Sequence, residues 1–111
     1  MAFSLSSVQR SVTDEMNRDW SDKTVNDIRM MCYAGLAEET GEVLGIAKRR
    51  ARKLLKDKEA ASSEHLKEEL GDILWYLAAV ASFNEMSLDE IWELNRMKLE
   101  ERYGTTNERI Q

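Results

Sequence analysis

The sequence predicts an all-α fold, and three observations lead to this prediction. The 111 residues contain no proline and only 5 glycines, so few positions would interrupt a helix. Charged side chains make up 33% of the chain and hydrophobic ones 42%, including many residue types that favour helices. Apolar residues recur at steps of three and four, which is the period of an amphipathic helix. A chain of this length suits a single domain that spans residues 1–111.

Four helices are predicted from this periodicity, separated by short polar segments. The clearest separation is DKEAASS at 57–63, and we expect residues 105–111 at the carboxyl end to fray. Short links make neighbouring helices antiparallel, so the expected architecture is a four-helix bundle. The predicted limits of the helices are Leu5–Trp20, Val25–Lys56, Glu64–Asn84 and Leu88–Tyr103.

Each predicted helix has a local reason in the sequence. In the first, apolar side chains lie at helical spacing: Leu5, Val8, Val12 and Met16. The second ends in a basic run, KRRARK at 48–53, which suits the negative C-terminal pole of a helix. Capping residues precede the second, third and fourth helices, and a glycine follows the last: Thr24, Ser62 or Ser63, Ser87, and Gly104.

The third helix contains an apolar stretch, ILWYLAAVA at 73–81, that covers every side of the helix. A helix of this kind is buried on every side, and one small bundle could not cover it. We therefore expect a homo-oligomer, either a dimer or, preferably, a tetramer built as a dimer of dimers. The stretch is too short to cross a bilayer, so no membrane partner is expected.

The charge and cysteine content narrow the class of protein further. The net charge of -5 argues against a nucleic-acid polymer as partner, because such proteins usually present a basic face. The single cysteine, Cys32, cannot form an internal disulfide, which fits a reducing, cytoplasmic setting. The first ten residues, MAFSLSSVQR, lack the charged lead and apolar run of a signal peptide.

Carboxylates occupy positions on the second helix where apolar residues would be expected. Glu39 lies within the apolar stripe itself, and Glu42 follows three residues later on nearly the same face. The stripe runs Ile28, Cys32, Leu36, Glu39, Val43 and Ile46.

The third helix carries a second acidic pair, Glu69 and Asp72, on the face that also holds Tyr76. If the two helices are antiparallel neighbours, both pairs face the bundle interior. Unpaired buried carboxylates are costly, so four of them require protons or cations. An all-oxygen donor set favours Mg²⁺ or Mn²⁺ over zinc. The only histidine, His65, is not in a Glu-x-x-His pair, which argues against a di-iron site. A solvated acidic face remains the alternative.

At EETGE, 38–42, and EELGD, 68–72, the sequence resembles the signature of the MazG-like nucleoside triphosphate pyrophosphohydrolases, within the all-α NTP pyrophosphatase superfamily. The ending NRMKLEERYG, 95–104, strengthens the resemblance, which covers about residues 16–104. It implies cleavage of a nucleoside triphosphate between the α and β phosphates, giving a monophosphate and pyrophosphate. Members of this kind resemble house-cleaning enzymes that remove non-canonical or surplus deoxynucleotides.

The resemblance also implies roles for individual residues. Four match the positions that hold Mg²⁺ in the family: Glu39, Glu42, Glu69 and Asp72. Glu38 matches the first glutamate of the signature, and with Glu39 it is a candidate catalytic residue that binds a further metal ion or orients the attacking water. Three residues on one face of the fourth helix are candidate phosphate contacts: Asn95, Lys98 and Arg102. The alternative for that face is a solvated basic stripe.

Base recognition has weaker candidates. Trp20 and Tyr76 resemble aromatic positions that line the base pocket in dCTP-type relatives, although both could simply be core residues. Asn26 is a further candidate for the base, and Arg49 or Lys53 for the triphosphate. Two other readings stay open: a phosphoribosyl-ATP pyrophosphohydrolase-like enzyme, and a non-catalytic helical interaction module.

Overall fold

The computed structural model describes residues 3–52 and 63–104 of the chain. Within these ranges the protein consists of four α-helices and no strands, which confirms the predicted all-α class. The predicted end of the second helix at Lys56, the cap Ser62 and the tail 105–111 lie outside the described residues. The helices are α1 (Leu5–Asp19), α2 (Val25–Ala51), α3 (Ser63–Phe83) and α4 (Leu88–Tyr103).

The helix starts are fixed by side chains that accept hydrogen bonds from backbone amides. Thr24 Oγ1 accepts from the amide of Asp27 at 3.1 Å, and Ser87 Oγ accepts from the amide of Glu90 at 3.1 Å, as predicted. Sequence reasoning missed the cap of α1, where Ser4 and Ser7 form a reciprocal capping box. Since serine rather than glutamate closes this box, the usual motif is absent there.

The core lies where α1 and α2 pack against α3, and its closest contacts are made by small side chains. Three alanines of α3 are buried, so neighbouring helices can approach its backbone closely. Cys32 is completely buried among them and acts as a small apolar group, as predicted. The main buried cluster consists of Val12, Cys32, Ala78, Ala79, Ala81 and Leu88, and Ile46 of α2 is buried outside it.

The turn between α3 and α4 is held against α1 by a single glutamine. Gln9 Nε2 donates to the carbonyl of Met86 at 2.7 Å and to Ser82 Oγ at 3.0 Å, while Gln9 Oε1 accepts from the amide of Leu88 at 2.8 Å. The turn passes through Glu85, whose φ of 57° lies in the left-handed region. These contacts direct α4 onto α1, its main packing partner, whereas α2 packs mainly on α3.

Exposed apolar side chains lie along α3 and α4. On α3, Leu70, Leu74 and Leu77 are 48%, 40% and 39% exposed, so the protomer leaves part of the apolar run uncovered. On α4, Ile91, Leu94 and Met97 follow one another at steps of three and are 37%, 68% and 61% exposed. Contiguous exposed apolar surface of this kind commonly marks an interaction surface. No helix in the described ranges combines the length and the apolar character needed to span a bilayer.

Candidate metal and nucleotide site

The register between α2 and α3 brings the two predicted acidic pairs together. Toward the start of α2, Gly35 lies against the ring of Tyr76. One turn further along α2, a carboxylate oxygen of Glu39 lies within 4.8 Å of oxygens of Glu69 and Asp72. Residue numbers rise along α2 as they fall along α3, so the two helices are antiparallel, as the short-link argument predicted.

The carboxylates form two overlapping groups with Glu39 in both. In the first group, oxygens of Glu38, Glu39 and Glu42 lie within 4.8 Å of one another; in the second, the same holds for Glu39, Glu69 and Asp72. Glu69 is buried, Glu39 is half-buried, and the other three are exposed. The site is therefore a patch of five carboxylates that is closed toward the core and open toward solvent.

The close approach of these carboxylates changes their protonation. Contact with Glu69 and its charge raise the pKa of Glu42, with burial and Asp72 adding to the shift and His65 opposing it. The pKa of Glu69 is raised first by contact with Glu39 and then by burial. Two carboxylates this close are stable only when one holds a proton or a cation lies between them.

Two oxygen atoms in the patch fit a role as cation ligands. Oε2 of Glu39 and Oε2 of Glu69 are buried, and neither has a hydrogen-bond partner in the described part of the chain. A buried carboxylate oxygen without a donor is costly, and a bound cation would remove that cost. Because every donor is a carboxylate oxygen, the set suits a hard ion such as Mg²⁺ or Mn²⁺.

A cavity of about 440 Å³ opens beside the carboxylates, between α2 and the first turn of α3. His65 lines it and is half-buried. Its Nε2 lies 3.7 Å from Glu69 Oε1 and its Nδ1 4.0 Å from Glu68 Oε2. Both separations are too long for hydrogen bonds. The lining residues are Glu38, Gly41, Glu42, Gly45, Arg49 and His65.

A row of aromatic rings leads away from the carboxylates on the opposite side. Tyr76 packs edge-on against Trp75 with ring centroids 5.1 Å apart, and Trp75 packs edge-on against Trp20 at 5.5 Å. Burial raises the pKa of Tyr76, and the charge of Glu39 adds to this shift. Trp20 packs against the core at the end of α1, and Trp75 Nε1 donates to Glu15 Oε2 at 2.7 Å.

The candidate phosphate contacts on the fourth helix lie on a different part of the protomer. Asn95 is half-buried, and Lys98 and Arg102 are exposed, on a helix that packs mainly against α1. The residues that form the two carboxylate groups and line the neighbouring cavity come from α2 and α3. The role of the α4 residues therefore stays a prediction.

Two further candidate substrate contacts, Asn26 and Lys53, do not belong to the carboxylate patch. Asn26 lines an open groove with Tyr33, and its Oδ1 accepts a hydrogen bond from Arg29 at 2.7 Å. Lys53 lies outside the described residues.

The fold and the site together define a class: an all-helical protein with a carboxylate patch suited to divalent cations. The chain belongs to the family described as the MazG nucleotide pyrophosphohydrolase domain, whose model matches residues 30–106. This match confirms the family resemblance read from the two acidic motifs. All five carboxylates of the patch lie within the matched region.

Among the relatives is the Gene 37 protein of Mycobacterium phage L5, which is 32% identical over 72 residues. That alignment covers 61% of this chain and 60% of the relative, so the chain spans less than two thirds of that relative's length. No solved structure matches the protein.

Proposed function

We propose that the protein is a Mg²⁺-dependent nucleoside triphosphate pyrophosphohydrolase that releases a nucleoside monophosphate and pyrophosphate. The observation that supports this most is the pair of carboxylate groups that share Glu39, in a chain of the MazG family. The buried oxygens of Glu39 and Glu69, which lack a hydrogen-bond partner within residues 3–52 and 63–104, support a cation at the same place.

Four residues would hold the metal ions: Glu39, Glu42, Glu69 and Asp72. When bound, Mg²⁺ would neutralise charge on the phosphate oxygens and lower the pKa of the attacking water. Glu39 belongs to both carboxylate groups, so it would bridge them and fix their spacing. Glu38 is exposed at the edge of the first group, where its carboxylate can accept a proton from the water and orient it toward the α-phosphorus.

The nucleoside would lie toward the aromatic row, with Tyr76 beside the sugar or base and Trp20 further away. We propose a deoxynucleoside triphosphate as substrate, removed because it is non-canonical or in surplus. Asn95, Lys98 and Arg102 would contact phosphates, and the working form would be a homo-tetramer in the cytoplasm. The exposed leucines of α3 support the oligomer, because burying them against another copy would remove apolar surface from water.

A product assay tests the proposal. The protein is incubated with each canonical dNTP and several modified ones, with Mg²⁺ or with chelator, and the products are identified. Monophosphate plus pyrophosphate, lost on chelation, is expected for at least one nucleotide. The Glu39→Gln and Asp72→Asn variants should be inactive, while Glu68→Gln, an exposed neighbour outside both carboxylate groups, serves as the matched control. Release of single phosphate, or activity that survives in the two variants, contradicts the mechanism.

A further inference from the structure

The cavity beside the carboxylate patch contains an arginine to which the proposed function assigns no specific role. Arg49 lines this cavity together with Glu38 and Glu42. Apart from the adjacent pair Gly41 and Glu42, the α2 residues of the lining follow one another at steps of three and four, so they lie along one side of the helix. The cavity is therefore a groove that runs along α2 from the carboxylates to a guanidinium group.

The guanidinium of Arg49 points back along α2 toward the carboxylates. Its Nη1 lies 3.4 Å from the point where a Cβ on Gly45 would be, so the side chain folds over that glycine. Long side chains on helices lean toward the N-terminus, which here is the direction of Glu42. No atom of the described residues lies within 4 Å of the point where a Cβ on Gly41 would be, so among these residues the groove is open there.

Along α2, the carboxylates have opposite chemistry on their two sides. Tyr76 contacts α2 at the level of Gly35, and the guanidinium of Arg49 lies at the level of Gly45. At 1.5 Å per residue these levels are about 15 Å apart along the helix axis. The carboxylates of Glu39 and Glu42 lie between them. An aromatic group at one end and a guanidinium at the other give an extended, asymmetric ligand a single favoured direction.

We infer that Arg49, with His65 beside it, binds the leaving pyrophosphate, so that the nucleotide lies along α2 with its nucleoside at the Tyr76 end. This inference rests on the proposed function. The planar guanidinium can donate two parallel hydrogen bonds to phosphate oxygens, and the ring N–H of His65 can donate a third. When the bond between the α-phosphorus and the bridging oxygen breaks, the electron pair stays on that oxygen. The negative charge that develops on the β-phosphate is then closest to the cationic end.

Calorimetric binding of pyrophosphate in the presence of Mg²⁺ tests this assignment without any turnover. Arg49→Gln should weaken pyrophosphate binding roughly tenfold or more, since hydrogen bonds between charged groups are lost. Arg49→Lys should fall between Arg49→Gln and the wild type, because a point charge replaces the bidentate fork. Arg50→Gln removes the same charge from an exposed position outside the groove, and it should bind like the wild type.

A second ligand separates a local role from a general loss of structure. Binding of a deoxynucleoside monophosphate should be unchanged in Arg49→Gln, while His65→Gln should weaken pyrophosphate binding by a smaller factor. Three outcomes would overturn the inference. Arg49→Gln could weaken the binding of both ligands equally, or it could bind pyrophosphate as well as Arg50→Gln does. The third outcome is a wild type that does not bind pyrophosphate. The proposed function fails separately, if no nucleoside triphosphate is converted to monophosphate and pyrophosphate.

Discussion

The contact between Gly35 and Tyr76 allows a stability prediction whose size follows from the structure. A Cβ on Gly35 would overlap Cε1, Cδ1 and Cζ of the Tyr76 ring, whereas a Cβ on Gly41, in the same helix, would meet nothing within 4 Å. Replacing glycine by alanine inside a helix gains up to about 1 kcal/mol at either position. Overpacking at Gly35 costs about 1–3 kcal/mol in addition. Gly35→Ala should therefore be about 1–3 kcal/mol less stable than Gly41→Ala.

Thermal unfolding of both variants measures this difference. For a domain of about this size each kcal/mol corresponds to roughly 4–8 °C, so the two midpoints should differ by at least about 4 °C. Replacing the ring in a Tyr76→Leu background should remove most of the penalty at Gly35, which a double-mutant cycle would report as coupling. If the two alanine variants unfold at the same temperature in the wild-type background, the close packing of Tyr76 on α2 is refuted.

Three further predictions concern the carboxylates and the exposed apolar face. Glu39→Gln and Asp72→Asn should each lower Mg²⁺-dependent pyrophosphate release by at least about 100-fold. Losing a residue that only orients a metal ligand costs about 10–100-fold, and losing the metal ligand itself should cost more. Neighbouring carboxylates raise the pKa of Glu42 and Glu69 in the folded protein. The stability that these two groups contribute is therefore fully present below the ordinary pKa of glutamate. It is lost as the pH rises through the raised pKa. Without metal, the melting temperature of the wild type should thus fall relative to that of Glu69→Gln between acid and neutral pH. Adding Mg²⁺ should reverse this difference in melting temperature. Parallel pH profiles of the two melting temperatures would contradict the prediction. Leu74→Lys should shift sedimentation toward a smaller species, because it places a charge on the exposed face of α3; an unchanged sedimentation coefficient would remove Leu74 from any subunit interface.

The helices could be predicted well from their caps and their apolar periodicity, because both depend on residues that are close together in the chain. The predicted limits of the first helix differ from those of α1 only at its last residue, where Asp19 rather than Trp20 ends the helix. The fourth helix has the predicted limits, since Ser87 caps its start and Gly104 follows its end. Both caps act within one turn, so a single sequence contains all the information that they need.

The position of α4 could not be derived in the same way. Its direction depends on Gln9, which binds the turn at Met86 and the first amide of α4 from far away in the sequence. Nothing in the spacing of apolar residues identifies a polar side chain as the contact that joins two helices. The sequence therefore predicted how many helices there are, whereas the packing of α4 against α1 is known only from the structure.

The site was partly visible in the sequence for a physical reason. Glu39 interrupts an apolar stripe between Leu36 and Val43, and such an interruption is expensive unless something compensates for it. His65 was missed, although it lies four residues before Glu69 and hence on the same face of α3. Its position beside the carboxylates becomes clear only when α2 and α3 are paired in register, which brings the cavity to the start of α3.

The faces that fold α2 against α3 are also the faces that carry the carboxylates, and this links stability to function. An apolar residue at Glu39 or Glu69 would let the two helices pack without opposing charges. The chain instead places both carboxylates at the helix contact and leaves an oxygen of each without a hydrogen-bond partner among the described residues. Unfavourable arrangements of this kind are concentrated at functional sites, where a ligand compensates for them. The proposed cation binding would therefore stabilise the folded chain, and stability measured with and without Mg²⁺ tests that proposal.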